Sequence, residues 1–115
     1  MTDSLFGIQG EALELRSARM GLIASNIANA AAPGYKARDI DFAAALGRSE
    51  AGEDAGSAIA AATRFRAPTM ASLDGNTVEL ANEQVAFSQN AVGYAATLSF
   101  IRGRVDTVTR ALKGE

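Results

Sequence analysis

ASNIANAAAPGYK, residues 24–36, ends one kind of segment and begins another. It places two asparagines, Asn26 and Asn29, about one helical turn apart. Pro33 disfavours α geometry at the residue before it, and Gly34 follows at once. A helix that runs into this stretch is therefore predicted to end near Ala31.

Upstream of this stretch, the residues follow the spacing of an amphipathic helix from about Ser4 to Ala31. Three glycines in this segment each cost a helix about 1 kcal/mol relative to alanine, so the helix is predicted to need a packing partner. Leu13, Met20 and Ile27 flank the main stripe at heptad spacing. The stripe itself, in alternating steps of three and four residues, is Leu5, Ile8, Ala12, Leu15, Arg19, Leu22, Asn26 and Asn29.

A second helix is predicted from Asn76 to the C-terminus. Asn76 and Glu79 have the spacing of a capping box. We call the following set, which steps by four and three, the apolar seam: Leu80, Gln84, Phe87, Ala91, Tyr94, Leu98, Ile101, Val105, Val108 and Leu112. We call an adjacent set the second stripe: Val78, Ala81, Val85, Val92 and Ala95. A helix with two adjoining apolar stripes can pack against two neighbours at once. Gly93 and Gly103 interrupt this helix and either permit the close approach of a neighbour or weaken the helix.

Between the two helices no apolar period is sustained. Residues 36–42 alternate briefly and are predicted to be extended, with Ile40 and Phe42 on one face. The polar, glycine-bearing stretch 47–56 is predicted to be a mobile loop. Residues 58–62 are rich in alanine, residues 63–72 indicate a short strand or irregular chain, and Asp74-Gly75 is a turn signal.

The predicted fold is mainly α. The long N- and C-terminal helices pair as an antiparallel, coiled-coil-like hairpin, and the middle is irregular or partly extended. A chain of 115 residues holds one domain. Its predicted parts are 1–34, an N-terminal helix and Pro-Gly turn; 35–75, the irregular middle; and 76–115, the C-terminal helix.

Composition excludes several classes of function. The net charge of −2 comes from interspersed acids and bases, which does not favour a nucleic-acid partner. No apolar run is long enough to span a membrane, and the N-terminus lacks the pattern of a cleaved signal peptide. Cysteine and histidine are both absent, which excludes disulfides, thiolate metal sites and a serine–histidine nucleophile. We therefore expect no catalytic residues, cofactor, metal or small-molecule substrate.

Two polar pairs admit alternative interpretations. Asp39 and Asp41 have the spacing of a cation site, but no third ligand is near, so solvated loop acids are the better interpretation. Asn26 and Asn29 are either local caps at the end of a helix or a polar continuation of its packing stripe that fixes register and partner choice.

Two stretches carry a resemblance to a known family. LIASNIAN, residues 22–29, followed by PGYKARDIDF, residues 33–42, resembles the N-terminal signature of the bacterial flagellar axial proteins, which form the rod and hook. Residues 35–42, and the C-terminal half from Gly75 through Gly103, are most similar to the proximal rod members. Family members usually have threonine before Pro-Gly-Tyr and often an acid before that, where this chain has Ala32 and Ala31.

The resemblance implies a structural subunit of the proximal rod, which assembles helically in the periplasm and transmits torque. It implies export by the flagellar type III apparatus without a cleaved signal. The implied partners are other rod subunits and proteins of the membrane ring and export gate. The residues expected to serve assembly are Leu15, Leu22, Asn26, Ile27, Asn29, Pro33, Gly34, Tyr35, Phe87, Tyr94, Leu98, Ile101 and Val105.

Two other classes compete with this interpretation. A soluble helical adaptor, or a protein like an export chaperone, would bind a partner helix in its groove. A small regulatory enzyme subunit is disfavoured by the lack of catalytic residue types. An adaptor is expected to fold alone as a stable dimer, whereas a rod subunit is expected to be a monomer with partly disordered ends.

Overall fold

A computed structural model of the chain describes residues 6–114 and has the form of an elongated body of 64 × 26 × 18 Å. Its elements are α1 Gly7–Ala28, β1 Arg38–Ile40, α2 Phe42–Glu50, α3 Ala55–Ala62, β2 Thr63–Phe65 and α4 Leu80–Lys113. The predicted mainly helical fold, with the two long terminal helices packed on each other, is confirmed. Ser4 and Leu5, the first residues of the predicted N-terminal helix, lie outside the described residues.

The two long helices run antiparallel. Near the end of α1, Asn26 contacts Glu83 close to the start of α4, while Arg16, ten residues earlier in α1, contacts Asn90 further along α4. At 1.5 Å per residue, the 22 residues of α1 span roughly 33 Å and the 34 residues of α4 roughly 51 Å. The last part of α4 therefore extends beyond α1, and within residues 102–113 every side chain except Val108 is exposed.

The N-terminal helix ends at Ala28, three residues before the predicted end near Ala31. Asn29 is the capping residue, and its backbone N–H bonds to the carbonyls of Ser25 and Asn26. Pro33 follows several residues later, inside a turn. The Pro-Gly pair thus shapes the turn after the helix but does not itself end the helix.

The middle of the chain is more ordered than its sequence suggested. The prediction of a loop over residues 47–56 was wrong, because residues 47–50 belong to α2 and residues 55–56 to α3. Aspartates cap both short helices: Asp41 accepts from the N–H of Ala44, and Asp54 accepts from that of Ser57. An Asx cap favours a short helix even where the sequence is polar.

The strands form a two-stranded antiparallel ladder in which Ile40 pairs with Thr63. Strand β2 falls within residues 63–72, where a short strand or irregular chain was predicted. The extended segment predicted over 36–42 contains β1, but Phe42 already begins α2, so Ile40 and Phe42 do not share a strand face. Both nevertheless join the apolar core, whose buried members are Leu15, Ile40, Ala45 and Ala62.

The helix α4 begins at Leu80, with Glu79 as the capping residue, so the capping box predicted at Asn76 was wrong. The Asn76 amide instead donates to the backbone carbonyls of Asn29, Ala30 and Ala32. These carbonyls follow α1 and have no helical partner further along the chain. Asn76 therefore binds the turn that follows α1 from across the molecule.

The inner face of α4 is polar, contrary to the prediction from the apolar seam. The buried side chains of α4 are Glu83, Asn90 and Thr97, each seven residues after the last. Seam residues such as Phe87 and Tyr94 flank this row and are half-buried, while Leu80, Val105 and Leu112 are exposed. Heptad spacing thus marks the packed face correctly, but two of the side chains on it, Glu83 and Asn90, hydrogen-bond across the interface.

Candidate functional site

The turn made by Pro33, Gly34 and Tyr35 is bound to the segment that leads into α4. Gly34 has φ +75°, a left-handed conformation that glycine adopts without strain, and its N–H donates to the carbonyl of Asp74 over 2.8 Å. The carbonyl of Tyr35 accepts from the N–H of Thr77 at 2.9 Å. This turn, which we call the signature turn, therefore ties the end of α1 to the segment that leads into α4.

Asn26 lies at the centre of the contacts that join α1, β1 and α4. Its side chain is fully buried, and its Nδ2 donates to the carbonyl of Arg38 at 2.8 Å and to Oε1 of Glu83 at 3.0 Å. Its Oδ1 accepts from the N–H of Arg38 at 3.1 Å and from the hydroxyl of Tyr35 at 3.3 Å. One amide thus meets both polar groups of the Arg38 backbone, as a strand neighbour would, and also reaches α4.

Charged side chains of alternating sign continue the junction from α1 to α4. Arg19 donates to both carboxylate oxygens of Asp39, at 2.8 and 3.0 Å. Arg66, just beyond β2, donates to Asp39 at 2.5 Å and also to Glu83. Glu83 is fully buried, so its charge depends on the arginine and on Asn26 for compensation. We call these five side chains the polar junction: Arg19, Asn26, Asp39, Arg66 and Glu83.

The electrostatics of the polar junction favour the charged form of its half-buried acid. Burial alone would raise the pKa of the Asp39 carboxyl. The hydrogen bonds from Arg19, Arg66 and the Ile40 N–H outweigh that effect, so the pKa lies below its ordinary value. The hydrogen bond between Arg19 and Asp39 also raises the pKa of the Arg19 guanidinium. The pair thus remains ionised over the whole physiological range.

The two asparagines of the signature have different contacts within the chain, and whether Asn26 also fixes partner choice stays a prediction. Asn26 belongs to the packed polar face between elements. Asn29 donates its amide to the carbonyl of Ser25 at 2.9 Å, which is a local bond at the end of α1. The carbonyl of Ala32 accepts from Asn76, so the turn is held without a side-chain hydroxyl at this position.

A second contact between the long helices lies one heptad further along α4. Asn90 is buried, and its Nδ2 donates to the carbonyl of Arg16 at 2.8 Å. The Arg16 guanidinium lies 4.4 Å from the centre of the Phe42 ring and fills the space where a side chain on Gly93 would be. Of the two alternatives left open by the sequence, Gly93 therefore permits close approach, whereas nothing lies within 4 Å of the corresponding point on Gly103.

The structure distributes the predicted assembly residues over several environments. Leu15 and Asn26 are buried within the chain's own fold, and Pro33, Gly34 and Val105 are exposed. The half-buried members are Leu22, Ile27, Asn29, Tyr35, Phe87, Tyr94, Leu98 and Ile101. What these residues do in an assembly stays a prediction.

Sequence reasoning missed most of the polar junction. Asp39 was interpreted as a solvated loop acid, but it accepts from two arginines, and Asp41 caps α2. Arg66, Asn76, Glu83 and Asn90 were not singled out for these contacts. The one available signal was the seven-residue spacing of Glu83, Asn90 and Thr97, which a search for apolar periodicity cannot detect.

The junction has the features of a structural joint. Within residues 6–114 no group of three or more acidic, histidine or cysteine side chains is arranged to hold a metal ion. No helix in this same range combines the length and hydropathy needed to cross a membrane. The arrangement can fix the register of two helices and the path of the chain between them.

Comparison with known proteins gives consistent matches. A family model described as flagella basal body rod protein matches residues 7–36, which include α1 and the signature turn. The flagellar basal body rod protein FlgB of Cereibacter sphaeroides is 44% identical over 120 residues, covering 95% of this chain and 94% of that protein. The FlgB proteins of Escherichia coli K12 and Salmonella typhimurium are each 37% identical, over 96% and 97% of this chain and 94% and 95% of their own lengths.

Proposed function

The chain belongs to the FlgB family of flagellar basal body rod proteins, and from this premise we propose how it serves the rod. It is a structural subunit of the flagellar basal body rod. We propose that it occupies the proximal part of the rod in the periplasm, after export without a cleaved signal. There it joins the membrane ring and export gate to the other rod proteins and transmits torque, without catalysing a reaction.

The observation that carries this proposal is the outer face of α4. Val85 is 56% exposed and Val92 70% exposed, and both lie on the side of the helix opposite the buried Glu83 and Asn90. Small residues such as Ser88 and Ala96 continue the same outer face. Exposed apolar and small residues that line one side of a helix are typical of a surface that packs against another protein.

In this proposal the predicted assembly residues act in two ways. Buried residues such as Leu15 and Asn26 hold α1 and α4 in one register, so that α4 presents its outer face in a fixed orientation. The half-buried seam residues, with Phe87, Tyr94, Leu98 and Ile101 the largest, flank the buried row on the inner side of α4, and their exposed parts contact neighbouring helices. The three predicted parts of the chain then act together as one domain.

A substitution on the outer face tests the proposal. Val92→Asp places a charge on an exposed position, so the folded chain and its export should be unaffected, while neighbouring helices can no longer pack there. We expect loss of motility and of rods counted by electron microscopy of basal bodies. Ala43→Asp, which puts the same charge at an exposed position near the start of α2, is the matched control and should leave rods intact.

The behaviour of the purified chain separates a rod subunit from a helical adaptor. An adaptor is stable alone, so its dilute form should keep the helix content of the structure, about two thirds of the described residues. A rod subunit lacks its neighbours, so circular dichroism should show clearly less helix, with the terminal segments cleaved first by protease. Full helicity and protected ends in a stable dimer would support the adaptor.

A further inference from the structure

Arg16, in the middle of α1, contacts both α2 and α4. Its guanidinium carbon lies 4.4 Å from the centre of the ring of Phe42, the first residue of α2. A Cβ atom on Gly93 of α4 would lie only 2.5 Å from Nη1 of the same guanidinium and 2.7 Å from its carbon, so any side chain there would displace it. We call this space, which glycine leaves open in α4, the notch.

The notch matters because α2 has little other contact with α4. Within the described residues, α2 packs chiefly on α1 and α3 and only slightly on α4. Its Ala45 and Leu46 join the apolar core around Leu15. The guanidinium of Arg16 is therefore a main physical link between α4 and α2.

Two buried polar atoms near the notch have no hydrogen-bond partner within residues 6–114: Nε of Arg16 and Oδ1 of Asn90. Asn90 is 1% exposed and lies about one turn before Gly93. A buried polar atom without a partner is unfavourable, because folding removes its hydrogen bonds to water. Closure of α4 on α1 therefore holds the Arg16 guanidinium where it lacks a full set of partners, and separation of the two helices returns it to water.

We propose that Arg16 is a latch through which closure of α4 on α1 holds α2 in place. In the closed chain the notch keeps the guanidinium over the Phe42 ring, where the cation and the face of the ring attract each other. In the open chain the guanidinium exchanges the ring for water, so α2 keeps its contacts with α1 and α3 but loses this one. The helix α2 is then fully stable only after the two long helices have paired.

The latch goes beyond the proposed function and does not depend on it, because every contact that it uses lies within one chain. It also differs in its consequences from simple filling of space. A guanidinium that only fills space can be replaced by an apolar side chain, whereas a latch needs the cation over the ring. Arg16→Met keeps most of the unbranched apolar stem and removes the cation, so it separates the two.

Hydrogen exchange of the purified full chain, resolved by peptide, tests the latch through Gly93→Ala. The added methyl group meets the flexible end of Arg16, so the fold should survive while the guanidinium is displaced. Alanine favours a helix, so exchange in α4 around residue 93 should slow by up to about fivefold. Exchange in α2 should instead become roughly fivefold faster, because the contact between the cation and the ring is lost.

Gly103→Ala is the matched control, since nothing lies within 4 Å of the position that its methyl group would take. It should slow exchange in α4 and leave α2 unchanged. Equal α2 exchange in the native chain and in Gly93→Ala, or the same acceleration in both alanine variants, would overturn the proposal. So would α2 amides that already exchange in the native chain at the rate of an unfolded peptide.

Arg16→Met supplies a second test, which remains informative if Gly93→Ala fails to fold. Loss of the cation should speed α2 exchange roughly fivefold, whereas Arg102→Met, at an exposed position of α4, should leave α2 unchanged. Because no guanidinium is left to displace, adding Gly93→Ala to Arg16→Met should speed α2 exchange no further. If Gly93→Ala accelerates α2 equally with and without Arg16, it acts through the backbone of α4, and the latch is wrong.

Discussion

The side-chain amide of Asn26 donates a 3.0 Å hydrogen bond to the buried carboxylate of Glu83, 57 residues later in the chain. This bond joins the last turn of α1 to the first turn of α4. Both side chains have further partners, Asn26 in the backbone of Arg38 and Glu83 in the guanidinium of Arg66. The register of the two long helices is therefore set by polar groups that have few alternative partners.

Removal of the Glu83 carboxylate should destabilise the fold strongly. Glu83→Ala removes one acceptor from each of Asn26 and Arg66 in a buried place, and breaking a buried pair from one side costs roughly 3 kcal/mol. Urea unfolding followed by circular dichroism gives the change in free energy. Glu14→Ala, an exposed acid of α1, should alter stability by less than about 0.5 kcal/mol. Similar values for the two variants would show that the junction contributes little.

The two signature asparagines should differ in their sensitivity. Asn26→Leu leaves both polar groups of the Arg38 backbone unsatisfied and should cost at least about 2 kcal/mol, whereas Asn29→Ala removes one local bond and should cost about 1 kcal/mol. We expect Asn26→Leu to impair rod assembly while the protein is still exported. Unfolding curves, together with immunoblots of exported protein, would measure both effects. A larger loss from Asn29→Ala contradicts the assigned roles.

Stability should fall in acid through Asp39. Its pKa in the folded chain is lower than in the unfolded chain, because two arginines bind its charged form. Its contribution is therefore complete above the unfolded pKa, about 3.9, and is lost as the pH falls through the folded pKa. Free energies of unfolding between pH 6 and pH 2 should fall less steeply for Asp39→Asn, which is already less stable at pH 6. Parallel curves would show that other acids cause the decline.

Two glycines should respond to alanine in opposite directions. Gly34 has φ +75° with open space around it, so alanine there meets only backbone strain of roughly 1–2 kcal/mol. Gly21 lies in α1, also with open space, so alanine should stabilise the helix by up to about 1 kcal/mol. Thermal unfolding of both variants would measure the two changes in stability. A neutral Gly34→Ala would mean that the turn adopts another conformation without loss.

The sequence predicted the packing of α1 well but that of α4 poorly. On α1 the stripe contains Leu15 and Asn26, both of which are buried, because apolar side chains dominate its inner face. On α4 the inner face consists of Glu83, Asn90 and Thr97, whose burial depends on partners that are distant in the chain. Apolar periodicity found only the flanks of that face. No local pattern shows which acid will meet Arg66.

The remaining errors of the sequence analysis concern the residues near the helix ends, because one of them has its partners in a distant part of the chain. An asparagine before a helix normally caps that helix, and Asn76 precedes α4 by a few residues. Its amide instead meets carbonyls more than 40 residues earlier in the chain, which only the tertiary fold brings near. Asp41 and Asp54 are ordinary local caps, and their spacing from the next helical residues could have revealed α2 and α3 in the sequence.

The polar inner face of α4 has a consequence for the chain before it is assembled. When α1 and α4 separate, Glu83 and Asn90 exchange their protein partners for water, and little apolar surface is exposed along the row formed by Glu83, Asn90 and Thr97. This row of the separated helix then offers few apolar sites for aggregation with other copies. In the proposed export of an open chain, this row would stay hydrated, whereas a row lined with leucine would promote aggregation.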